Sequence, residues 1–386
     1  MSTTSKLRPL VRLQGMRAAQ LPSPTATTEE LAPLLYSILR EALPFIDSAA
    51  PKASSSATSS GADSKIWKSK GVHSHPDSAA KVEVSERVVS VAELRDIVTE
   101  NKDKIRPETW CCRRSVHEDA PEKGTATWEE FEHCFRDEHA ESERAFTPAC
   151  LAAHQALKWD TAASVPDIEE GGLKWGNFKL VVEEMRHRIG KPILKDRTFP
   201  VLQMTSSVVA VRPSSQSTGT GEFVVVSIPV PDFGSDEASK LAKEKGAQIA
   251  IYASVERIRQ FGGEDGKGKI EWLMATASDA GGILPAWVQN AAAPGVIWKD
   301  VPLFLSWIAK EREKSGQKKG GVTNTEVKNT KEENEEVVPQ ASTGTEVNNV
   351  PSTSDGTNDV TAIAAGNPQV STGIEVGQTA RVSASG

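Results

Sequence analysis

The sequence has 386 residues, and its 45 lysines and arginines against 52 aspartates and glutamates give a formal net charge of −7. This negative charge, without a basic cluster, argues against nucleic acid as the main partner. No apolar run reaches the ~20 residues that a helix needs to cross a bilayer. Four cysteines do not make a disulfide framework in so long a chain, and no secretory signal begins it, so we expect a cytoplasmic protein with reduced thiols.

The first predicted elements are a basic N-terminus and a helix. Residues 1–27 contain basic but no acidic residues, which fits a mitochondrial presequence or a flexible N-terminus, and we favour the second. A helix is predicted over 28–46 because Thr27 and Glu30 have capping-box spacing. Apolar residues then recur at the helical period and give one stripe. Residues 48–64, rich in Ala, Ser and Pro, are predicted to be a flexible insert.

The middle of the chain is predicted to be an antiparallel sheet. Five strands follow one another between residues 178 and 278, and a Gly-rich turn at 262–268 predicts a hairpin between the last two. Two helices are predicted before these five strands, one capped by Thr127 and one beginning at Pro148 after Thr147. The irregular order of strands and helices argues against a parallel doubly wound sheet. The predicted strands are 81–89, 110–117, 178–187, 197–211, 222–230, 248–258 and 269–278.

The C-terminal part changes character after the last strand. An apolar helical region is predicted from Trp287 to Ile308, divided or kinked by Pro294 and Pro302. A sheet followed by one strongly apolar helix predicts an α+β fold in which the sheet curls around that helix. Residues 314–386 hold no Leu, aromatic residue or Cys, so we expect a disordered low-complexity tail. The predicted domain is therefore 28–313.

Two catalytic patterns are weighed and set aside. Ser115, His117 and Asp119 alternate along one strand, but side chains two residues apart are separated by ~6.5–7 Å, too far for a hydrogen-bonded triad. A glycine-rich stretch before Lys269 resembles a phosphate-binding loop, but Ile270 stands where a hydroxyl is required. The adjacent acids at 183–184 and 129–130 are interpreted as solvated charges. The sequence thus predicts no catalytic residue and no cofactor.

A metal site is also weighed and set aside. All four cysteines and four of the seven histidines lie between residues 111 and 154. Cys150 and His154 would lie one turn apart on the second predicted helix, which suits a metal. However, the adjacent Cys111 and Cys112 point to opposite faces of a strand, and no Cys-x-x-Cys pair exists. We therefore predict no metal site.

Several motifs resemble a known superfamily. Residues 272–287 (WLMATASDAGGILPAW), followed by Lys299-Asp300-Val301, resemble the end of START-like lipid-binding domains, as do residues 184–197 upstream. The stretches 110–117 (WCCRRSVH), 124–131 (GTATWEEF) and 252–256 (YASVE) resemble an uncharacterised fungal START-like family, within the StAR-related lipid-transfer superfamily. The resemblance covers about residues 30–312, and this narrower family has no established activity.

The resemblance implies a helix-grip fold with a cavity between sheet and terminal helix, and a lipid or sterol as ligand. Each aromatic or Met position could instead be plain core, and each charged one could be ion-paired. Trp287 and Trp298 could also lie at a membrane-water boundary, which would add a transient membrane-surface contact. The expected wall residues are Met185, Phe199, Tyr252, Trp272, Met274, Leu284, Trp287 and Val288, and the expected head-group contacts are Arg113, Arg197 and Glu256.

The leading hypothesis is therefore a non-enzymatic protein that binds a hydrophobic small molecule in an internal cavity, for lipid transfer or sensing. An alternative is an interaction module with a filled core and a disordered tail, whose protein partner is unknown. A third is an enzyme on the same fold, which would need convergent titratable residues inside the cavity. A cavity of a few hundred Å³ favours the first hypothesis over the second.

Overall fold

One antiparallel sheet dominates the computed structural model, which describes residues 10–50, 65–97, 105–189, 195–210, 221–262, 267–279 and 293–320. In these residues the strands are β1 (Lys68–His75), β2 (Ser78–Val89), β3 (Glu108–Glu118), β4 (Cys150–Lys158), β5 (Ile168–Glu170), β6 (Leu173–His187), β7 (Arg197–Ala210), β8 (Glu222–Pro229), β9 (Ile251–Gly262) and β10 (Gly268–Asp279). They form one sheet in the order β1-β2-β3-β10-β9-β8-β7-β6-β4, and β5 pairs with β6. The predicted meander and the β9–β10 hairpin are confirmed.

Helices cover both faces of this sheet. A π-helical turn, Glu132–Asp137, joins two of them, and short 3-10 turns at Ala293–Gly295 and Ile297–Lys299 precede the last. The capping boxes predicted at Thr27 and Thr127 are both present. Within the described residues the α-helices are α1 (Thr28–Ala49), α2 (Val91–Ile97), α3 (Trp128–Phe131), α4 (His139–Phe146) and α5 (Asp300–Gly320).

The strands alternate between two differently covered faces. On the face covered by α1, which we call the α1 face, the side chains of Leu273 and Ala275 join the main hydrophobic core. On the opposite face, the α5 face, Ile270 and Trp272 pack with Phe304 of α5. Because the C-terminal helix lies on one face of an antiparallel sheet, the predicted α+β, helix-grip class is confirmed.

Two predicted helical regions differ from the structure. The helix expected after Pro148 is strand β4, because its backbone pairs with β6, and Thr147 instead ends α4 by donating its N–H to Glu143. The apolar helical region expected from residue 287 onward becomes an α-helix only at Asp300. Pro302 lies in the first turn of α5, where its missing N–H would have no intrahelical partner. Strands β1, β4 and β5 were not predicted.

The N-terminal residues 10–26, which we call the strap, are pinned to the body. The backbone N–H of Leu10 donates to Glu41 at 2.7 Å, and that of Leu13 donates to Glu108 at 2.9 Å. Val11 is fully buried in the core of the α1 face. The prediction of a flexible N-terminus is therefore wrong for these residues, because apolar side chains interspersed among the basic ones are buried.

A buried ionic cluster also ties α1 to the sheet. The carboxylate of Glu271 lies on the α1 face and is fully buried between arginines. Arg114 Nε lies 2.8 Å from Glu271 Oε1, and Arg259 Nε lies 2.6 Å from Glu271 Oε2. Arg257 contacts Glu271 at 3.3 Å and also donates to Asp47 of α1. These neighbouring charges hold the pKa of Glu271 below its usual value against the effect of burial.

The adjacent acids Glu183 and Glu184 are buried, although the sequence predicted a solvated face. Burial raises the pKa of Glu183 to about 7. Glu184 accepts a 2.6 Å hydrogen bond from Ser239 Oγ and three more from backbone N–H groups. Its pKa is lowered because these bonds to the charged form outweigh burial. The three backbone donors are those of Lys240, Leu241 and Ala242.

The last helix crosses the boundary between two compact units, which lies between Ala309 and Lys310. In the first unit, the described residues form the sheet and its covering helices. In the second, they form the end of α5, where Lys314 Nζ lies 2.7 Å from Glu311 Oε1. Residues 314–320 of the predicted tail are therefore helical, and residues 321–386 lie outside the described residues, as do 51–64 of the predicted insert.

Candidate functional site

A polar pocket lies on the α5 face, between the sheet, α4 and the start of α5. It contains about 370 Å³ of empty space, part of which is open to solvent. The centres of water-sized molecules can occupy about 20 Å³ of it, which is room for roughly one or two waters. The residues that line it are Arg113, Phe135, His139, Glu143, Phe146, Val225, Ser254, Glu256, Met274 and Asp300.

Arg113 is the central cation of this pocket, and it is only 2% exposed. Its Nη2 lies 3.4 Å from Glu256 Oε1, and its Nε lies 3.4 Å from Asp300 Oδ2. The guanidinium also lies over the ring of Trp272, 4.0 Å from the centroid, and donates to Met274 Sδ at 3.3 Å. Strand alternation on β3 directs Arg113 to this face, whereas its neighbour Arg114 faces α1.

Glu256 is the best-partnered acid in the pocket. Its Oε1 accepts a 2.5 Å hydrogen bond from the indole N–H of Trp272, and its Oε2 lies 3.3 Å from His139 Nε2. Gln203 Nε2 lies 3.4 Å from the other nitrogen of His139, which fits a tautomer with the proton on Nε2. Burial alone would raise the pKa of Glu256, but His139, Arg113 and Trp272 together hold it below its usual value.

Asp300 is the lining acid whose carboxyl oxygens both lack a hydrogen-bond partner among the described residues. It is the first residue of α5 and is 1% exposed. Burial raises its pKa to about 7, with the nearby charge of Glu256 adding to the shift and Arg113 opposing it. Among the described residues, neither carboxyl oxygen of Asp300 has a hydrogen-bond partner, nor do Nε and Nη1 of Arg113. The 3.4 Å contact between the two side chains is thus an ion pair without a hydrogen bond.

The local helices position the opposite wall of the pocket. The π-helical turn Glu132–Asp137 places Phe135 over the sheet, and π-turns of this kind are frequent at functional sites. His139 and Glu143 lie one turn apart at the start of α4, so both face the pocket. Glu143 Oε1 also lies 3.8 Å from Nε2 of the buried His187.

Beside the pocket, the space between sheet and α5 is filled by aromatic rings. Trp272 lies 4.6 Å from Phe135 and 5.5 Å from both Phe131 and Phe304, measured between ring centroids. Phe304 lies 5.8 Å from Phe146, which extends the contact network to α4. Among the described residues, this part of the α5 face is therefore packed, and two of its rings, Phe135 and Phe146, also line the pocket.

The structure brings only some of the predicted site residues together. Arg113, Glu256 and Met274 line the pocket, and Trp272 lies against it. Phe199 and Tyr252 belong to a separate apolar cluster, with ring centroids 5.6 Å apart.

Met185 contacts a further small cluster, and its register partner is Phe199. Arg197 lies at the start of β7, where its Nη1 donates to the carbonyl of Lys195 at 2.6 Å. Leu284, Trp287 and Val288 lie outside the described residues. The assignment of these residues to one ligand cavity stays a prediction.

Seven lining residues escaped the sequence-based prediction. Asp300 occurs in a quoted motif, but an acid at the start of a helix is usually exposed. His139 was considered only as a metal ligand. The signal that could have identified Phe135 and Phe146 is their apolar spacing between two strands. The seven are Phe135, His139, Glu143, Phe146, Val225, Ser254 and Asp300.

One catalytic pattern needs correction. His117 Nε2 lies 2.8 Å from Ser115 Oγ, so the expectation that strand spacing keeps them apart is wrong, because the imidazole reaches back along the strand. Asp119 is not part of this pair, since it accepts a hydrogen bond from the N–H of Trp128. Burial lowers the pKa of His117 to about 3, which leaves a weak base. The pair is a buried structural contact rather than a nucleophile with its base.

The cysteines do not form a metal centre within the part of the chain that is described, where no group of three or more His, Cys, Asp or Glu could hold a metal ion. Burial raises the pKa of Cys111 and Cys112 to about 12 and that of Cys134 to about 11. The predicted opposite orientation of Cys111 and Cys112 is confirmed, since they join different apolar clusters.

Membrane contact was a further expectation. None of the described helices combines the length and apolarity needed to span a bilayer. Trp298 stacks on His73 of β1 with ring centroids 4.7 Å apart, and its predicted place at a membrane surface stays a prediction.

Among solved structures the chain is similar to human STARD10, with 15% identity, a TM-score of 0.38 and coverage of 73% of this chain and 83% of that chain. It is also similar to human StAR-related lipid transfer protein 5, with 12% identity, a TM-score of 0.35 and coverage of 66% of this chain and 89% of that chain. A third similar structure is the lipid transfer and protein localization domain of human StarD13 (DLC2), with 10% identity, a TM-score of 0.31 and coverage of 63% of this chain and 88% of that chain.

No curated protein matches the chain. A family model described as "Protein of unknown function (DUF3074)" matches residues 110–308. The matched residues run from the start of the Trp110 motif on β3 into α5 and include every lining residue of the pocket. Since the match covers just over half of the sequence, the chain belongs to the DUF3074 family of proteins of unknown function.

Proposed function

We propose that this protein binds a hydrophobic small molecule, of the lipid or sterol class, on the α5 face of its sheet without chemically changing it. The observation that carries the proposal is the buried Arg113–Asp300 pair, whose unpartnered polar atoms lie in a pocket that also has an apolar wall. Burying charged groups without hydrogen bonds costs free energy, so such groups call for an explanation. A ligand's polar end would supply the missing partners.

The composition of the pocket supports an amphiphilic ligand. Phe135, Phe146, Val225 and Met274 give it an apolar side, and the charged residues give it a polar side. Sites for small molecules combine a mostly apolar lining with a few placed polar groups. The described space admits only a polar end, so the apolar part of the ligand would have to extend beyond it.

The direct test is native mass spectrometry of the freshly purified full chain, with lipid extraction of the same sample. We expect a bound hydrophobic molecule in the wild type and its loss in Arg113→Gln. Arg114→Gln is the matched control, because Arg114 is the next residue on β3 and faces α1. Arg197→Gln, outside the pocket, should also retain the ligand.

A protein with no extractable molecule, and no uptake of a fluorescent sterol or fluorescent fatty acid, would contradict the proposal. The packed aromatic layer around Trp272 would then favour the second candidate, an interaction module with a filled core.

A further inference from the structure

The Arg113–Asp300 pair presents donors and acceptors to the same small space. Nε and Nη1 of Arg113 can only donate hydrogen bonds, and the two Asp300 oxygens accept them when the carboxyl group is ionised. None of these four atoms has a hydrogen-bond partner among the described residues. A single oxygen that accepts from Arg113 and donates to Asp300 would satisfy both sides. Water and a hydroxyl group are such oxygens, whereas a phosphate or carboxylate oxygen only accepts.

The size of the pocket points the same way. Centres of water-sized molecules occupy about 20 Å³, and one water needs roughly 10–15 Å³ measured in this way. A hydroxyl oxygen fits this space. A phosphate group, with four oxygens around phosphorus, needs more room than one or two waters occupy.

The charge balance of the pocket also disfavours an anion. Its titratable lining groups are three acids and two basic groups. Arg113 is already within 3.4 Å of both Glu256 and Asp300, and His139 is engaged with Glu256. An anionic head group would therefore find no cation without an acidic neighbour, and burying a further negative charge beside these acids is unfavourable. The lining acids are Glu143, Glu256 and Asp300.

We infer that this pocket selects a ligand with a neutral hydroxyl head group and rejects anionic lipids. The hydroxyl group would accept a hydrogen bond from Arg113 and donate one to Asp300. The inference rests on the proposed function and gives it a ligand class. The hydroxyl could belong to a sterol, a diacylglycerol or a long-chain alcohol, which share this chemistry. In the absence of ligand, a water molecule is expected in the same position.

The first test compares ligands with one carbon chain and different head groups. Oleyl alcohol, oleate, oleylamine and oleyl methyl ether are titrated into the full-length wild-type protein by native mass spectrometry, at a pH above the pKa of about 7 of Asp300 so that its carboxyl group is ionised. We expect the alcohol to bind at least about tenfold more tightly than oleate, because oleate adds an unpaired charge. We also expect about tenfold weaker binding of the ether, which accepts but cannot donate.

Several results would overturn the inference. Oleate that binds as tightly as the alcohol, or an amine that binds more tightly, would show that the site does not select a neutral donor. If the ether bound as tightly as the alcohol, the ligand would not need to donate a hydrogen bond to Asp300. If no ligand of the series binds and the sterol and glycerolipids below do not bind either, the proposed function fails together with the inference. If only anionic ligands bind, the inference fails alone.

The second test identifies the class of lipid that carries the hydroxyl group and the residue that accepts its hydrogen bond. A sterol is compared with its sulfate ester, and a diacylglycerol with the phosphatidic acid of the same acyl chains. The hydroxyl form should bind more tightly in the pair that represents the natural ligand. Asp300→Leu should lower affinity for the alcohol about tenfold and leave the ether unaffected, whereas Arg114→Gln should change neither. If Asp300→Leu does not fold, the wild-type ligand comparison still decides the outcome.

Discussion

Two acids beside Arg113 respond to burial in opposite directions. Glu256 has three polar partners, and its pKa lies below the usual value despite complete burial. Asp300 lies on the other side of the same guanidinium without a hydrogen bond, and burial raises its pKa to about 7. The difference follows from the number of donors that each carboxyl group meets. At the residue scale, therefore, Asp300 is the group in this pocket that is most open to a new partner.

This difference predicts how stability depends on pH. Since folding raises the pKa of Asp300 from 3.8 to about 7, the folded state keeps a proton that the unfolded chain has lost in this interval. Its contribution to the free energy of unfolding therefore falls as pH rises from about 4 to about 7. Asp300→Asn removes this proton equilibrium. Between about pH 4 and about pH 7, the free energy of unfolding of the variant should therefore rise by up to about 4 kcal/mol relative to that of the wild type.

Urea denaturation of both proteins at several pH values measures that difference. The comparison is needed because the buried histidines His117 and His187, whose pKa values are lowered to about 3, change stability with the opposite sign. Other charges facing Asp300 are Arg113, Glu256 and, within the pocket, His139 and Glu143. A difference between variant and wild type that does not change with pH would show that Asp300 ionises normally.

Only part of the pocket could be predicted at this scale. Arg113 and Glu256 were predicted as polar contacts because the resembling motifs contain them. They do meet in the structure, with Nη2 and Oε1 3.4 Å apart. Asp300 and His139 were missed because each stands at the first turn of a helix, a position where polar residues are usually solvated. Nothing local distinguishes a buried helix start from an exposed one.

At the scale of elements, periodicity and capping predicted most of the fold, and long-range pairing decided the rest. Helix α1 and strands β6 to β10 carry clear repeats, and all are present. Strand β4 was mistaken for a helix because Thr147-Pro148 is a good helix start, whereas pairing with β6 determines its structure. Strand β1, with the sequence KSKGVHSH, is too polar to show an alternating pattern. The strap was missed because its basic residues outweigh its few apolar ones.

The strap makes a prediction about stability. Val11→Asp places a charge in the fully buried position of Val11 and should lower the free energy of unfolding by about 3 kcal/mol or more. The matched control is Gln14→Asp, three residues further along the strap and exposed, which should change it by less than about 0.5 kcal/mol. Chemical denaturation measures both. Equal midpoints for the two variants would mean that the strap does not belong to the cooperative core.

At the scale of the whole molecule, all four thiols are buried and none is activated. Their pKa values are raised by burial, for Cys111 and Cys112 to about 12. The four cysteines lie on β3, on β4 and in the π-helical turn, so they report on separate parts of the body. A thiol reagent therefore measures how the protein opens as a whole.

We expect the native protein to react with a chromogenic disulfide reagent roughly a thousandfold or more slowly than the denatured protein. In denaturant all four thiols should react. One thiol that reacts rapidly in native buffer would identify a region that opens independently, and mass spectrometry of the labelled peptide would locate it. Uniform protection would show that the sheet and its helices unfold together.

Adjacent arginines on β3 have a consequence for assembly of the sheet. Arg113 and Arg114 point to opposite faces and meet Glu256 and Glu271, which also lie on opposite faces. Against β10 their register partners are Met274 and Leu273. If the register of β3 against β10 shifted by one residue, each arginine would face the opposite side of the sheet, because side chains alternate along a strand. Both arginines and both glutamates would then lose their partners. The ion pairs on the two faces of the sheet therefore both require the same alignment of β3 with β10, and a pairing shifted by one residue forms neither of them.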